Sequence, residues 1–218
     1  MLFRSLMAKH LLSIDQPQLP IPPEVYDVQY QNKLNNVQRL FYNRLSNNMN
    51  ALVGTNGGQY VECPNGLFYN TVQQTFALPN TAYPVVYNQT YLGSGITLAN
   101  SSKITIGVPG VYSFNYSGQL LSGSSSAKNF YLWIARNGTN VSYSTHTYTL
   151  AANNQYLVIT WGFNIDLKTD DYIQLMAEVD NVDLKLAVTT AGVHPGGASS
   201  VLAVNYSSML PNTLPTLP

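Results

Sequence analysis

Two stretches of this chain alternate so strictly that they leave it little choice of architecture. After the turn signal Pro109-Gly110, Tyr112, Phe114 and Tyr116 alternate with Ser113, Asn115 and Ser117. Further on, Leu157, Ile159, Trp161, Phe163, Ile165 and Leu167 alternate with Val158, Thr160, Gly162, Asn164 and Asp166. A helix would scatter each set around its circumference, whereas a strand places each set on one face. Both stretches therefore read as half-buried strands of an antiparallel sheet, with one apolar face and one small, polar face.

Shorter strands are expected around them, at residues 85–90, 103–108, 129–136, 140–148, 172–179, 184–188 and 200–206. Asn137-Gly138 is the strongest hairpin turn in the chain, and 122–127 (Ser-Gly-Ser-Ser-Ser-Ala) reads as a loop. Nine or ten short strands with hairpin-sized connections and no helix among them predict a two-layer β-sandwich or jelly roll over residues 81–210. At 129–136 both faces are apolar: Phe130, Leu132 and Ile134 oppose Tyr131 and Trp133. One opposing sheet can cover only one set, so Tyr131 and Trp133 are the candidates for an interface between copies of the chain.

The first third reads differently. Residues 1–22 form an N-terminal arm, proline-rich in its later part and extended. Pro22-Pro23-Glu24 reads as a helix start, and the helix is expected to occupy 23–55. Tyr30, Leu34, Val37, Phe41, Leu45, Met49 and Leu52 recur at steps of three and four, one apolar stripe on an otherwise Asn-, Gln-, Lys- and Arg-rich helix. The chain supplies no second helix for that stripe, so it reads as an anchoring or oligomerisation face. The Gly-Thr-Asn-Gly-Gly run at 54–58 is a hinge, and 56–80 a linker with one short strand at 71–77. Residues 211–218 form an extended C-terminal tail.

Composition narrows the function. Only 9% of residues are charged and the net charge is zero, so no global field draws the chain to nucleic acid or to an anionic membrane. Residues 1–12 are too short and too interrupted by charge to be read as a signal peptide or a membrane span. The sequons at Asn88, Asn100, Asn115, Asn137, Asn140 and Asn205 are expected to carry no glycan. The single cysteine, Cys63, has no intrachain partner and no nearby histidine, and reads as an inert thiol. His10, His146 and His194 are scattered, with no metal-ligand spacing. Asp166, Asp170, Asp171, Glu178, Asp180 and Asp183 form the one acidic concentration, read as solvated turns balanced by Lys168 and Lys185. No catalytic constellation, metal site or cofactor is expected, and the chain reads as a non-enzyme.

Val-Val-Tyr-Asn at 85–88 and Lys-Ile-Thr-Ile-Gly-Val-Pro-Gly-Val-Tyr-Ser-Phe at 103–114 resemble the globular heads of complement-type and tumour-necrosis-factor-like proteins. Leu-Trp-Ile-Ala-Arg-Asn-Gly at 132–138 and Leu-Lys-Thr-Asp-Asp-Tyr-Ile-Gln-Leu at 167–175 are similar to two further segments of that family, with Thr169-Asp170 where the family has X-Gly. The resemblance implies a ten-stranded antiparallel jelly roll and a homotrimer. The lead at 20–30 and the Leu-Phe-Tyr-Asn-Arg-Leu run at 40–45 resemble the openings of small virion proteins of marine tailed phages. That resemblance implies a bacteriophage structural protein, a head fibre, tail fibre, spike or decoration, located in the virion. Its partners would be capsid, portal or tail components, met through the N-terminal segment. The alternative expectation is a carbohydrate- or receptor-binding surface module meeting a host surface glycan through the aromatics Tyr143, Tyr148 and Tyr156.

Overall fold

The computed structural model describes residues 17–53 and 63–209, with the backbone alone at 51–53. Most of the expected arm, the hinge at 54–58, the tail at 211–218 and the Leu52 side chain lie outside the described residues. The chain divides into two compact units, Met1–Glu62 and Cys63–Pro218.

In the first unit the described residues form a helix, α1 (Val28–Val53), that runs for 26 residues, about 39 Å at roughly 1.5 Å per residue. It begins at Val28 and not at the Pro22-Pro23-Glu24 signal. Asp27 explains the start, because its carboxylate accepts a hydrogen bond from the Gln29 N–H at 2.8 Å and its carbonyl accepts the Gln31 N–H at 3.1 Å. That is the N-cap geometry, which satisfies amides that the helix itself leaves orphaned. Along the expected stripe Tyr30, Leu34, Val37, Phe41 and Leu45 are half-buried and Met49 is exposed.

The second unit is a two-sheet antiparallel sandwich. In chain order its strands are β1 (Asn65–Asn70), β2 (Tyr83–Pro84), β3 (Gln89–Ser94), β4 (Ile96–Ala99), β5 (Lys103–Ile106) and β6 (Gly110–Ser122). There follow β7 (Lys128–Arg136), β8 (Thr139–Asn140), β9 (His146–Leu150), β10 (Tyr156–Leu167), β11 (Tyr172–Val179), β12 (Leu184–Leu186) and β13 (Ser200–Ser208). The first sheet has the order β10-β6-β13-β1-β3, with β12 also on β6. The second runs β4-β5-β11-β7-β8, with β2 on β11 and β9 on β7. The chain passes repeatedly from one sheet to the other, as in a jelly roll. Among the described residues there are thirteen strands where ten are expected, partly because β2 and β8 are two-residue pieces.

The alternation read from the sequence is the alternation of burial. Tyr112, Phe114 and Tyr116 of β6 point inward, opposite Ile165, Phe163 and Trp161 of β10 in register. Phe114 and Phe163 stack with centroids 4.9 Å apart. From the second sheet, Phe130, Leu132 and Ile134 of β7 and Ile173, Leu175 and Val179 of β11 close the same core. The Asn137-Gly138 turn has positive φ at both residues, 51° and 82°, the type I′ pattern that matches strand twist.

Two expectations need correction. The segment read as a linker is part of the sandwich: β1 lies between β13 and β3, and Phe68 and Phe76 are buried. No strand occupies 71–77; an isolated bridge joins Gln74 to Leu186 there. The expected strand at 85–90 is also displaced. Val85 and Tyr87 are buried, but their N–H groups go to the Leu175 and Ser101 carbonyls at 2.8 and 2.7 Å, outside any ladder, and β3 begins at Gln89.

Two buried tyrosines are under-satisfied: the hydroxyls of Tyr87 and Tyr116 have no hydrogen-bond partner among the described residues. Tyr116 also folds back along β6, so that a Cβ added at Gly118 would lie 2.4 Å from its hydroxyl. An unpaired buried hydroxyl costs about 1–3 kcal/mol. Tyr116→Phe is therefore expected to leave the melting temperature unchanged or raise it. Gly118→Ala should destabilise by about 1–3 kcal/mol through overpacking, and Tyr116→Phe in that background should recover part of the loss. Thermal melts of the three variants check this. A Tyr116→Phe variant that melts well below wild type would contradict it.

Candidate functional site

The outward face of the second sheet carries the most elaborate surface among the described residues. On β7, Tyr131 stands opposite Glu178 of β11 and Thr147 of β9, and Trp133 stands opposite Met176. After the Asn137-Gly138 turn the chain pairs with β7 only through β8. It then leaves the sheet and rejoins it at His146.

That excursion is pinned by four hydrogen bonds. The Trp133 indole N–H donates to Asn140 Oδ1 at 2.8 Å and the Val141 N–H to the Ile134 carbonyl at 2.9 Å. The Ser144 hydroxyl accepts the Ile134 N–H at 3.2 Å and donates to the Val141 carbonyl at 2.7 Å. The result is a cleft of about 330 Å³ bounded by the sheet on one side and the excursion on the other. Tyr131 and Trp133 line it from the sheet, and Tyr143 lines it from the excursion. Tyr143 is fully exposed at φ 59°, a left-handed conformation uncommon for a bulky residue. Asn140, Ser142, Thr145 and Glu178 supply the polar lining, which contains no Lys, Arg or His. The half-buried Glu178 carboxylate takes part in neither of the ion pairs among the described residues, both of which belong to Arg136.

This geometry revises the expected sites. Trp133 does not wait for a neighbouring copy, because the chain's own excursion leaves it 8% exposed; Tyr131 is half-buried beside it. Tyr148 pairs in register with Phe130 and so turns toward the core, which removes it as a surface aromatic. Tyr156 is exposed, but on the outward face of the first sheet, in register with Leu121. Of the three aromatics proposed to meet a glycan, only Tyr143 belongs to the cleft, and it is joined there by the two residues expected at an interface.

The first sheet's outward face has a different character. Register places Leu92, Leu67, Ala203, Asn115 and Gly162 in one row across β3, β1, β13, β6 and β10. The next row runs Tyr69, Val201, Ser117 and Thr160, with Val158 and Tyr156 following along β10. Val158, Tyr156 and Leu92 are exposed. Charge on this face is at its edges, Asp166 opposite Val111 and Lys185 opposite Leu121.

The acidic concentration is structural at its centre. Arg136 lies between Asp171, at 2.6 Å, and Asp166, at 3.6 Å, so that Arg136 and not a lysine balances these carboxylates. Asn137 donates to Asp171 at 2.7 Å and the Lys168 N–H does so at 2.8 Å. Asp170, in the place where the resembled family has glycine, adopts φ 67°. Among the described residues no group of three His, Cys, Asp or Glu side chains is placed to hold a metal ion. His146 packs on Trp161 with ring centroids 4.4 Å apart.

No protein-family model matches the chain, and no curated protein matches it. Among solved structures it is similar to the globular domain of zebrafish complement 1qA protein, with a TM-score of 0.44 and 17% identity over 68% of this chain and 100% of that one. It is also similar to murine APRIL, with a TM-score of 0.44 and 13% identity over 67% of this chain and 100% of that one.

Asp171 gives the electrostatic account a direct check. Desolvation pushes its pKa up, but the bonds from Lys168, Asn137 and Arg136 and the Arg136 charge together outweigh that, so the carboxyl sits below its ordinary 3.8. A depressed folded-state pKa contributes stability that is fully present above the unfolded value and lost as pH falls through the folded one. Asp171→Asn should therefore melt below wild type at neutral pH, and the gap should narrow as pH drops below 3.8. A gap independent of pH would contradict the assignment. In the cleft, Asn140→Ala removes the acceptor of the Trp133 indole N–H, and is expected to cost about 0.5–1.5 kcal/mol and to red-shift tryptophan emission as water takes the place of Asn140.

Proposed function

We propose that this protein is a self-associating structural protein of a tailed-phage virion, a homotrimeric fibre, spike or head decoration. Its N-terminal segment attaches to the particle and its sandwich domain projects outward. The observation that carries the reading is the outward face of the first sheet. Rows of Leu, Val, Tyr, Ala and Gly interleaved with Ser, Asn and Thr, charged only at the edges, form a surface that a second copy covers without desolvating charge. Burying an aliphatic or aromatic side chain there contributes about 1.5–3 kcal/mol, set against the entropy lost on association. This face replaces Tyr131 and Trp133 as the proposed contact between copies.

The attachment role rests on α1. Its stripe from Tyr30 to Met49 is apolar on a helix otherwise polar but for Val28, Leu40, Tyr42 and the last turn, the pattern of a helix that binds a partner surface. In this reading the partner is another virion component, in the capsid, portal or tail. The low charge content, 9%, suits a surface that must stay soluble at high local density without adhering electrostatically.

Sedimentation of the 218-residue chain at micromolar concentration is expected to give a species of three times the 24.0 kDa chain mass. Val158→Asp, at an exposed outward position, should shift it to monomer while leaving the sandwich folded, as read by circular dichroism. A wild-type monomer, or a trimer indifferent to Val158→Asp, would overturn the assembly. Phe41→Asp with Leu45→Lys should leave the trimer intact and remove the protein from purified parent particles. Normal incorporation of that double variant would overturn the attachment role.

A further inference from the structure

We propose that the cleft between β7, β11 and the excursion at 141–145 binds the terminal sugar of a neutral glycan. The proposal stands apart from the assembly reading, since the cleft lies on the sheet that assembly leaves free.

The chemistry of the lining selects the ligand class. A pyranose ring has an apolar C–H face and a rim of hydroxyls, and it needs both kinds of partner at once. Tyr131 from the sheet and Tyr143 from the excursion provide aromatic surface on two sides of the cleft, over a floor made by the buried Trp133. The Trp133 N–H is already committed to Asn140 Oδ1 at 2.8 Å. The ring is thereby held in place, and the Asn140 amide N–H groups remain as donors. Glu178 is an acceptor without an ion pair among the described residues, and a carboxylate of that kind is matched by hydroxyl donors. Ser142 and Thr145 add hydroxyls that donate or accept as the ligand requires.

The same lining excludes other classes. Without a Lys, Arg or His, and with Glu178 present, the cleft repels phosphates, sulfates and acidic sugars. A purely apolar side chain would strip water from Glu178 and return no hydrogen bond. The volume, about 330 Å³, lies at the small end of ligand pockets, which run from roughly 300 to 1,000 Å³, and suits a chain terminus more than a long oligosaccharide. The site is also preorganised. The hydrogen bonds from Trp133, Ile134 and Val141 hold the excursion to β7, so that the backbone carrying Tyr143 is ordered before binding and only its side chain remains to be fixed.

The test is a printed array of neutral and acidic oligosaccharides probed with the 218-residue chain and three variants. Tyr143→Ala alters a fully exposed side chain, so its fold is checked simply by an unchanged melt. Glu178→Gln keeps the shape and removes the charge. Val193→Ala, at a fully exposed position between β12 and β13 and outside both outward faces, is the control. Saturable retention of neutral glycans is expected, weakened roughly tenfold or more by Tyr143→Ala and by Glu178→Gln and unaffected by Val193→Ala. The proposal is overturned if no neutral glycan is retained or if only acidic glycans are. It is equally overturned if retention survives both cleft variants.

Discussion

Strand β6 lies between β10 and β13, and its inward row, Tyr112, Phe114, Tyr116 and Leu120, meets the inward rows of β7 and β11 in one core. Everything else in the second unit is placed by that contact. Because side chains alternate along a strand, fixing which residues of β6 are dry fixes the register of β10 and β13 beside it. A one-residue slip of β10 would put Thr160, Gly162 and Asn164 in the core and Trp161 and Phe163 in water. The aromatic content of the inward rows makes that slip costly, at about 1.5–3 kcal/mol for each large side chain exposed.

The same contact leaves two outward faces, and the chain treats them differently. On the second sheet the outward aromatics are met by the chain's own excursion, which buries Trp133, half-covers Tyr131 and stands Tyr143 in solvent. On the first sheet the outward rows are small, apolar or neutral, and Val158, Tyr156 and Leu92 remain exposed. A face of small, apolar or neutral side chains that is nearly free of charge suits packing against a copy of itself. A cleft with mixed aromatic and hydroxyl-bearing walls suits a small polar ligand. The two proposed roles use different surfaces, the outward face of the first sheet and the cleft on the second.

Legibility in the sequence followed side-chain size. Strands β6 and β10 were readable because their inward positions hold Tyr, Phe, Trp, Ile and Leu against mostly small outward residues, and β7 because large apolar side chains fill both of its faces. In β1 the inward positions are Gly66, Phe68 and Asn70, and two of those three give no hydrophobic signal. Gly66 is required there because a Cβ would lie 2.6 Å from the Phe68 ring, and Asn70 is buried with its side chain accepting the Val72 N–H. Strand β3, at the edge, is exposed over almost its whole length and shows no alternation to read. The cleft was half legible. Its aromatics were singled out individually, Tyr131 and Trp133 for an interface and Tyr143 for a glycan. What brings them together is the departure of the chain from the sheet after Asn140, and Asn140, Val141 and Ser144, which bond backwards to β7, look in sequence like a returning strand.

The division of labour between the two outward faces is tested most directly by hydroxyl-radical footprinting of the associated protein against a dilute reference, read residue by residue. The account predicts that Tyr156, Val158 and Leu92, all on the first sheet's outward face, lose reactivity on association, while Tyr143 on the second sheet stays as reactive as in the dilute sample. Protection of Tyr143 with Tyr156 and Leu92 unchanged would contradict it, by placing the contact between copies on the cleft.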